Sequence, residues 1–109
     1  MLAPIFGSAT REKVFLFLLV REKGYAREIA GFFGISLNQI QKQMDGLEVG
    51  GVLVSQTAGR TRVYEFNPRY PFLAELKALL EKAFSFYPQD VQENLRMNRR
   101  RPRRRAKPL

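Results

Sequence analysis

The 109-residue sequence contains no cysteine and no histidine. Without cysteine there is no disulfide framework and no thiolate metal site. Without either residue, the common zinc sites, cysteine nucleophiles and histidine acid–base catalysis are excluded. The carboxylates are not clustered along the chain, and no glycine-rich phosphate loop is present. We therefore expect a protein that is not an enzyme and that needs no metal or other cofactor.

Long apolar segments are also missing. The longest apolar run, over residues 14–20, has seven residues, whereas about 20 are needed to cross a bilayer. The first residues lack the basic region and the long apolar core of a signal peptide. We expect no membrane partner and a cytoplasmic, nucleoid-associated location. The length suits one domain with a single modest core.

Positive charge is what the sequence has in excess, with 19 Lys/Arg against 10 Asp/Glu and a net charge of +9. Residues 1–87 carry 11 basic and 8 acidic side chains, a net of +3, and residues 88–109 carry 8 and 2, a net of +6. Such an excess predicts a polyanionic partner, with nucleic acid first and an anionic membrane second. We divide the chain into a folded domain over residues 1–87 and a basic, disordered tail over residues 88–109.

Periodicity and helix breakers predict a mainly α fold with a small β-hairpin. Helices are expected over residues 10–23, 26–33, 36–49 and 71–86, with a short further helix over residues 89–95. Strands are expected over residues 52–56 and 62–67, joined by a loop of about five residues. The first helix is apolar on all sides, which indicates either a core face plus a dimer face or a central helix covered by its own domain.

The third predicted helix carries the strongest functional signal. Ser36 and Gln39 fit a capping box at its start. Leu37, Ile40, Met44 and Leu47 form an apolar stripe, which leaves amides and a lysine on the other side. Asn and Gln can bond adenine through two hydrogen bonds, and Lys can bond guanine or a phosphate. The predicted DNA contacts of this helix are Ser36, Asn38, Gln39, Gln41, Lys42 and Gln43.

The hairpin that follows has arginines at its tip. We predict that Arg60, Thr61 and Arg62 contact the phosphate backbone or the minor groove. The alternative for both elements is a solvated surface, because amide-rich helix faces and arginine-tipped hairpins also occur without any ligand.

The order helix–helix–helix–hairpin, with glycine at the turn before the third helix, resembles a winged helix-turn-helix. Within that class the chain is similar to the ArsR-type family of small dimeric bacterial regulators over roughly residues 8–85. The resemblance is carried by Ile29-Ala30, Ile35-Ser36, residues 40–44 with Leu47, residues 51–54 and residues 59–64. It implies a three-helix core, a two-stranded wing and a C-terminal dimerisation helix, with the third helix in the major groove of double-stranded DNA.

The chain departs from this family at two functional positions. The family's Ser-Arg-His triplet is Gln41-Lys42-Gln43 here, and the Cys and His ligands of its metal-sensing members are absent. Base preference and metal sensing are therefore not carried over, and the effector, if one exists, is unknown.

The resemblance and the apolar helix faces predict a homodimer. Its predicted interface consists of Phe15, Leu18, Phe72, Leu76, Leu79, Leu80 and Phe84. An alternative for the same apolar faces is a protein-interaction or antitoxin-like module.

The tail is expected to add affinity for DNA through arginines. Other polyanions such as RNA, or an acidic protein surface, are the alternatives. The arginines concerned are Arg99, Arg100, Arg101, Arg103, Arg104 and Arg105.

Overall fold

The computed structural model describes residues 1–97, apart from the side chain of Met97. Within that range the chain forms six helices and one antiparallel hairpin, so the predicted mainly α fold with a small β-hairpin is confirmed. The helices are α1 (Ala3–Phe6), α2 (Ala9–Arg21), α3 (Ala26–Phe33), α4 (Leu37–Val49), α5 (Leu73–Ser85) and α6 (Gln89–Met97), and the strands are β1 (Leu53–Ala58) and β2 (Thr61–Phe66).

Helix α2 is the centre of the core. The Ser8 hydroxyl caps its start by accepting a hydrogen bond from the Arg11 N–H at 3.1 Å. Residues 14–18 are all buried, and α2 contacts α1, α3, α4, α5, α6 and β2. The helix is apolar on all sides because its own domain surrounds it, as the second of the two interpretations predicted.

Helix α6 extends the packed part of the chain beyond the predicted boundary at residue 87. Leu95 is fully buried, and the Arg21 side chain donates hydrogen bonds to the carbonyls of Leu95 at 3.0 Å and Asn94 at 3.4 Å. The same guanidinium lies over the Phe17 and Phe32 rings, 4.6 and 5.0 Å from their centres. Arg21 thus ties the last turn of α6 to α2 and α3.

The hairpin is tighter than predicted. Its register runs from the pair Leu53 and Phe66 to the pair Ala58 and Thr61, which leaves two residues in the turn instead of about five. The predicted loop length was wrong because Gly59 adopts a φ of 65°, a left-handed conformation that lets both strands continue to the tip.

Gly24, between α2 and α3, joins the hairpin as an isolated bridge to Tyr64. Its N–H and carbonyl bond the Tyr64 backbone at 3.1 and 2.8 Å. A Cβ at this position would lie 2.7 Å from the Phe17 ring, so the close approach requires glycine. The bridge fixes the base of the hairpin against the helical core.

Glu12 is a carboxylate buried in this core, with only 2% of its surface exposed. Its Oε2 accepts a hydrogen bond from the Tyr87 hydroxyl at 2.5 Å, and its Oε1 accepts from the Leu2 N–H at 2.8 Å and from the amine of Met1 at 3.3 Å. Burial raises the pKa of Glu12, but these bonds outweigh it and hold the pKa below its ordinary value. Burial and the bond to Glu12 together raise the pKa of Tyr87.

Tyr87→Phe keeps the ring and removes the donor, and we expect it to lower the free energy of unfolding at neutral pH by about 1–3 kcal/mol. The folded-state pKa of Glu12 is depressed, so its contribution is present above the unfolded-state pKa and is lost as pH falls through the folded-state value. Without the Tyr87 donor the folded-state pKa rises, and this acid-induced loss becomes smaller. Urea unfolding followed by circular dichroism across the acid range measures both effects.

Tyr70→Phe is the matched control, because the Tyr70 hydroxyl bonds no residue within 1–97. Equal losses of stability in the two variants would contradict the role assigned to the Tyr87 hydroxyl.

Candidate nucleic-acid interface

Helices α3 and α4 meet at a short turn that begins with Gly34. Its φ of 68° ends α3, and the Ile35 N–H closes the helix by donating to the Ala30 carbonyl at 3.1 Å. The Ser36 hydroxyl then caps α4 by accepting from the Gln39 N–H at 3.3 Å. The observed bounds of α3 are those predicted, and α4 begins directly after the predicted cap.

The two faces of α4 are well separated. Ile40, Met44 and Leu47 are buried against the core. Successive residues of a helix are rotated by about 100°, so residues on the side opposite to this buried face recur at spacings of four, three and four. They are Asn38, Lys42, Asp45 and Val49, all exposed, with 90% of Val49 accessible.

The predicted contact residues of α4 fall into two groups. Ser36, Asn38, Gln39 and Lys42 are exposed in the first half of the helix, where they can reach a ligand together. Gln41 and Gln43 are only half exposed and are bonded within the protein. Gln41 Nε2 donates to Asp45 Oδ1 at 2.9 Å and to the Tyr64 hydroxyl at 3.0 Å, and Gln43 Oε1 accepts from Arg11 Nε at 2.9 Å.

The hairpin residues predicted to bind DNA also differ in their surroundings. Arg60 lies in the turn, is exposed, and has no hydrogen bond or ion pair to any residue within 1–97. Arg62 Nη1 donates to the Ser55 hydroxyl at 2.9 Å, which donates in turn to Glu48 of α4 at 2.6 Å. The Thr61 hydroxyl donates to the Ala58 carbonyl at 2.9 Å across the turn. Arg60 is thus open to a ligand, whereas Arg62 links the hairpin to α4.

Tyr64 is the buried residue that joins α4 to the hairpin. It is 1% exposed, accepts from Gln41, and lies 3.4 Å from Asp45 Oδ1, to which its hydroxyl donates. Burial raises the pKa of the Tyr64 hydroxyl, and the charges of Asp45 and Glu48 act in the same direction. The hydroxyl therefore stays protonated and able to donate well above neutral pH.

A cleft of about 600 Å³ lies between the first turn of α3, α4 and the hairpin, with Arg27, Arg60 and Arg62 among its lining residues. Asp45 and Glu48 also line it, so the cleft itself carries a net of +1, while residues 26–66 as a whole hold four basic and four acidic side chains. These are Arg27, Lys42, Arg60 and Arg62 against Glu28, Asp45, Glu48 and Glu65. The helix-turn-helix and hairpin can therefore provide specific contacts but little long-range attraction for a polyanion.

Four residues of this region were not predicted as functional. Asp45 and Val49 extend the outer face of α4, and a helical-wheel projection of the sequence could have found them. Arg27 lines the cleft from α3, and its position in the first turn of that helix is the sequence feature that could have indicated this. The role of Tyr64 depends on a contact with α4 across 23 residues, and no sequence pattern indicates it.

The predicted dimer residues divide between the core and the surface. Phe15, Leu18, Leu80 and Phe84 are buried within the chain itself, at 3, 1, 0 and 7% exposure. Leu76 is half-buried, and Phe72 and Leu79 are 62 and 37% exposed. Only Phe72, Leu76 and Leu79 can take part in an interface without rearrangement of the domain.

These three residues belong to a longer apolar strip along α5. We define the α5 strip as Phe72, Leu76, Leu79, Ala83 and Phe86, which are spaced by four, three, four and three residues. Leu79 lines two shallow apolar hollows, one shared with Phe72 and Leu76 and the other with Ala83 and Phe86, so the strip is continuous. This spacing is that of a helix seam that pairs with another helix.

The six predicted tail arginines lie outside the described residues. Among residues 1–97, each helix is too short or too polar to traverse a lipid bilayer. Within the same range, no group of three or more acidic side chains is arranged to hold a metal ion.

Comparison with solved structures finds a similar fold in bacterial proteins that include ZitR and AdcR. ZitR from Lactococcus lactis, as a double mutant in its apo form, is 19% identical over 80% of this chain and 74% of its own, with a TM-score of 0.55. The adhesin competence repressor AdcR from Streptococcus pyogenes is 19% identical over 79% of this chain and 66% of its own, with a TM-score of 0.55.

The chain has a winged-helix fold. In this fold α3 and α4 form the helix-turn-helix and β1 and β2 form the wing. No protein-family model and no curated protein matches the chain. At this level of identity the likeness concerns the fold, and it does not favour the narrower ArsR-type resemblance over other winged-helix classes.

Proposed function

We propose that the chain is a sequence-specific regulator of transcription that binds double-stranded DNA as a homodimer, in the cytoplasm and on the nucleoid. The observation that carries the proposal is the outer face of α4. It presents Asn38, Gln39 and Lys42 together at its capped end, beside a wing whose Arg60 has no partner within residues 1–97. Amide and lysine side chains on a helix that fits the major groove can read base edges. That AdcR, which shares the fold, is named a repressor adds support.

In this proposal α4 reads bases in the major groove and Arg60 contacts the neighbouring phosphates or the minor groove. Gln41, Gln43 and Arg62 hold α4 and the wing in place through their bonds within the protein, and their contacts to DNA stay a prediction. The ArsR-type resemblance remains a prediction. It implies that the two protomers bind two DNA half-sites about one helical turn apart.

The homodimer is proposed to form through the α5 strip. Large exposed apolar side chains cluster there, with Phe72 at 62% and Phe86 at 67% exposure. A contiguous apolar patch of this kind indicates an interaction site. A different protein covering the same strip is the second candidate, and it corresponds to the protein-interaction or antitoxin-like hypothesis.

The double variant Lys42→Ala with Arg60→Ala is expected to lower affinity for a selected DNA site by about tenfold to a hundredfold, because each change removes one contact to DNA. Fluorescence anisotropy over a range of salt concentrations measures the loss, and the slope of log affinity against log salt is expected to shrink by up to about two.

Lys23→Ala with Arg69→Ala is the matched control, since both side chains are exposed, lie outside α4, the hairpin and the α5 strip, and leave the same net charge when removed. If the α4 and wing variant binds as tightly as this control, α4 and the wing are not the DNA surface.

A further inference from the structure

Asp45 occupies an unexpected place for a protein that binds DNA. It is an exposed residue of α4, one turn after Lys42, and it lines the cleft beside the wing. A carboxylate there comes close to the phosphates that flank a major groove, and it weakens nonspecific binding by charge repulsion. This electrostatic cost suggests that the side chain has a compensating role.

The structure gives Asp45 a fixed orientation. Gln41 Nε2 donates to its Oδ1 at 2.9 Å, and the Tyr64 hydroxyl lies 3.4 Å from the same oxygen. Gln41 also donates to the Tyr64 hydroxyl at 3.0 Å, so the three side chains close a ring. Tyr64 is itself buried and held to Gly24 through two backbone bonds, so the ring is attached to a rigid part of the domain.

Two of the three bonds in the ring go to Asp45, and both are accepted by Oδ1. No residue within 1–97 donates a hydrogen bond to Oδ2 of Asp45, and because Asp45 is exposed, Oδ2 can accept a bond from a ligand. Among the major-groove edges, cytosine presents its N4 amino group as a donor without an adjacent acceptor of its own. Adenine carries an acceptor nitrogen beside its amino group, and guanine and thymine present acceptor oxygens that repel a carboxylate.

We propose that Asp45 determines base specificity by accepting a hydrogen bond from cytosine N4 through Oδ2, while Gln41 and Tyr64 are positioning residues that aim it. The inference rests on the proposed function, since it requires α4 to enter the major groove. A carboxylate also selects against guanine and thymine at the same position, because they present acceptors there, and it is disfavoured beside the acceptor nitrogen of adenine.

The test is selection of binding sites from a randomised DNA library by the full chain, followed by sequencing, for the wild type and for Asp45→Asn. The asparagine keeps an oxygen that Gln41 and Tyr64 can hold, but it replaces the second acceptor by an amide donor. We expect a cytosine in each wild-type half-site, and in the variant a loss of that preference by about tenfold with a gain for adenine. Affinity for nonspecific DNA is expected to rise, because a negative charge has been removed.

Asp90→Asn is the matched control. It makes the same change of side chain and charge at an exposed position in the first turn of α6, outside α4 and the wing, and it is expected to leave the selected bases unchanged. Tyr64→Phe is expected to weaken the discrimination at the cytosine position without favouring a new base.

The possible failures are distinct. If the wild type enriches no sequence, the proposed function fails. If the wild type enriches a site and Asp45→Asn selects the same bases, the inference is overturned while the proposed function stands. A melting temperature that falls together with an equal loss at all positions of the site would make Asp45 a structural residue only, which also overturns the inference.

Discussion

Removal of residues 98–109 is expected to lower the affinity for DNA by on the order of a thousandfold at low salt, while the selected base sequence stays the same. The reason is the distribution of charge. Residues 98–109 hold seven Lys/Arg and no Asp/Glu, so they supply +7 of the net +9 and leave +2 for residues 1–97. The winged helix alone is nearly neutral where it would meet DNA, so its contacts gain little from counterion release.

The measurement is a salt titration of binding for the full chain and for residues 1–97. Each phosphate neutralised adds about 0.9 to the slope of log affinity against log salt, so truncation is expected to reduce the slope by up to about six. The truncated chain keeps α6, whose buried Leu95 and bonds from Arg21 are needed for the packing of the domain.

A chain in which the order of residues 98–109 is shuffled is the matched control, because charge and length are kept. It is expected to bind as the wild type does, since attraction through phosphates does not depend on the order of residues. Unchanged affinity after truncation would assign binding to the winged helix alone. Loss of sequence preference together with affinity, or tighter binding of RNA than of duplex DNA, would favour the hypothesis that the tail binds RNA.

The local elements of this fold could be predicted because their signals are local. The bounds of α3 and the start of α4 follow from Gly34 and Ser36, a glycine that ends one helix and a hydroxyl that caps the next. Gly59 between two β-prone runs indicated the hairpin, although not its two-residue turn.

Side-chain partners distant in sequence could not be predicted. The bonds of Gln41 to Tyr64 and of Gln43 to Arg11 span 23 and 32 residues. The helical pattern places both amides on the polar side of α4, but it does not show that each is bonded to another part of the chain. The packing of α6 on α2 likewise depends on Arg21 reaching Leu95 across 74 residues. Apolar character alone does not show which stripe of a helix meets its own core, so the sequence predicts one interface from Leu80, Phe84, Phe72 and Leu79 although the first two are buried.

Helix α5 has a buried stripe and an exposed stripe, so substitutions in the exposed stripe can separate the protomers without disturbing the core. Phe72→Glu with Leu79→Glu places two charges in the α5 strip without touching the buried Leu80 or Phe84. We expect the wild type to have twice the 12.6 kDa mass of one chain in light scattering, and the double variant to have the mass of one chain. Burial of two unpaired carboxylates in an apolar helix seam is too costly for the dimer to form.

Separation of the protomers is also expected to reduce affinity for a two-half-site DNA by about a hundredfold to ten-thousandfold, since the second half-site then binds independently. Affinity for a single half-site is expected to change little, which distinguishes loss of the dimer from damage to α4.

Leu37→Glu provides a matched control for the change in mass. Leu37 is 38% exposed and Leu79 is 37% exposed, but Leu37 lies at the start of α4, away from the strip. The control is expected to remain a dimer, with helical content like that of the wild type. A double variant that keeps the mass of two chains would place the dimer interface elsewhere. A wild type that is monomeric at all concentrations would leave the α5 strip open for a different protein. It would favour the protein-interaction hypothesis over the homodimer, because contiguous exposed apolar side chains mark an interaction site.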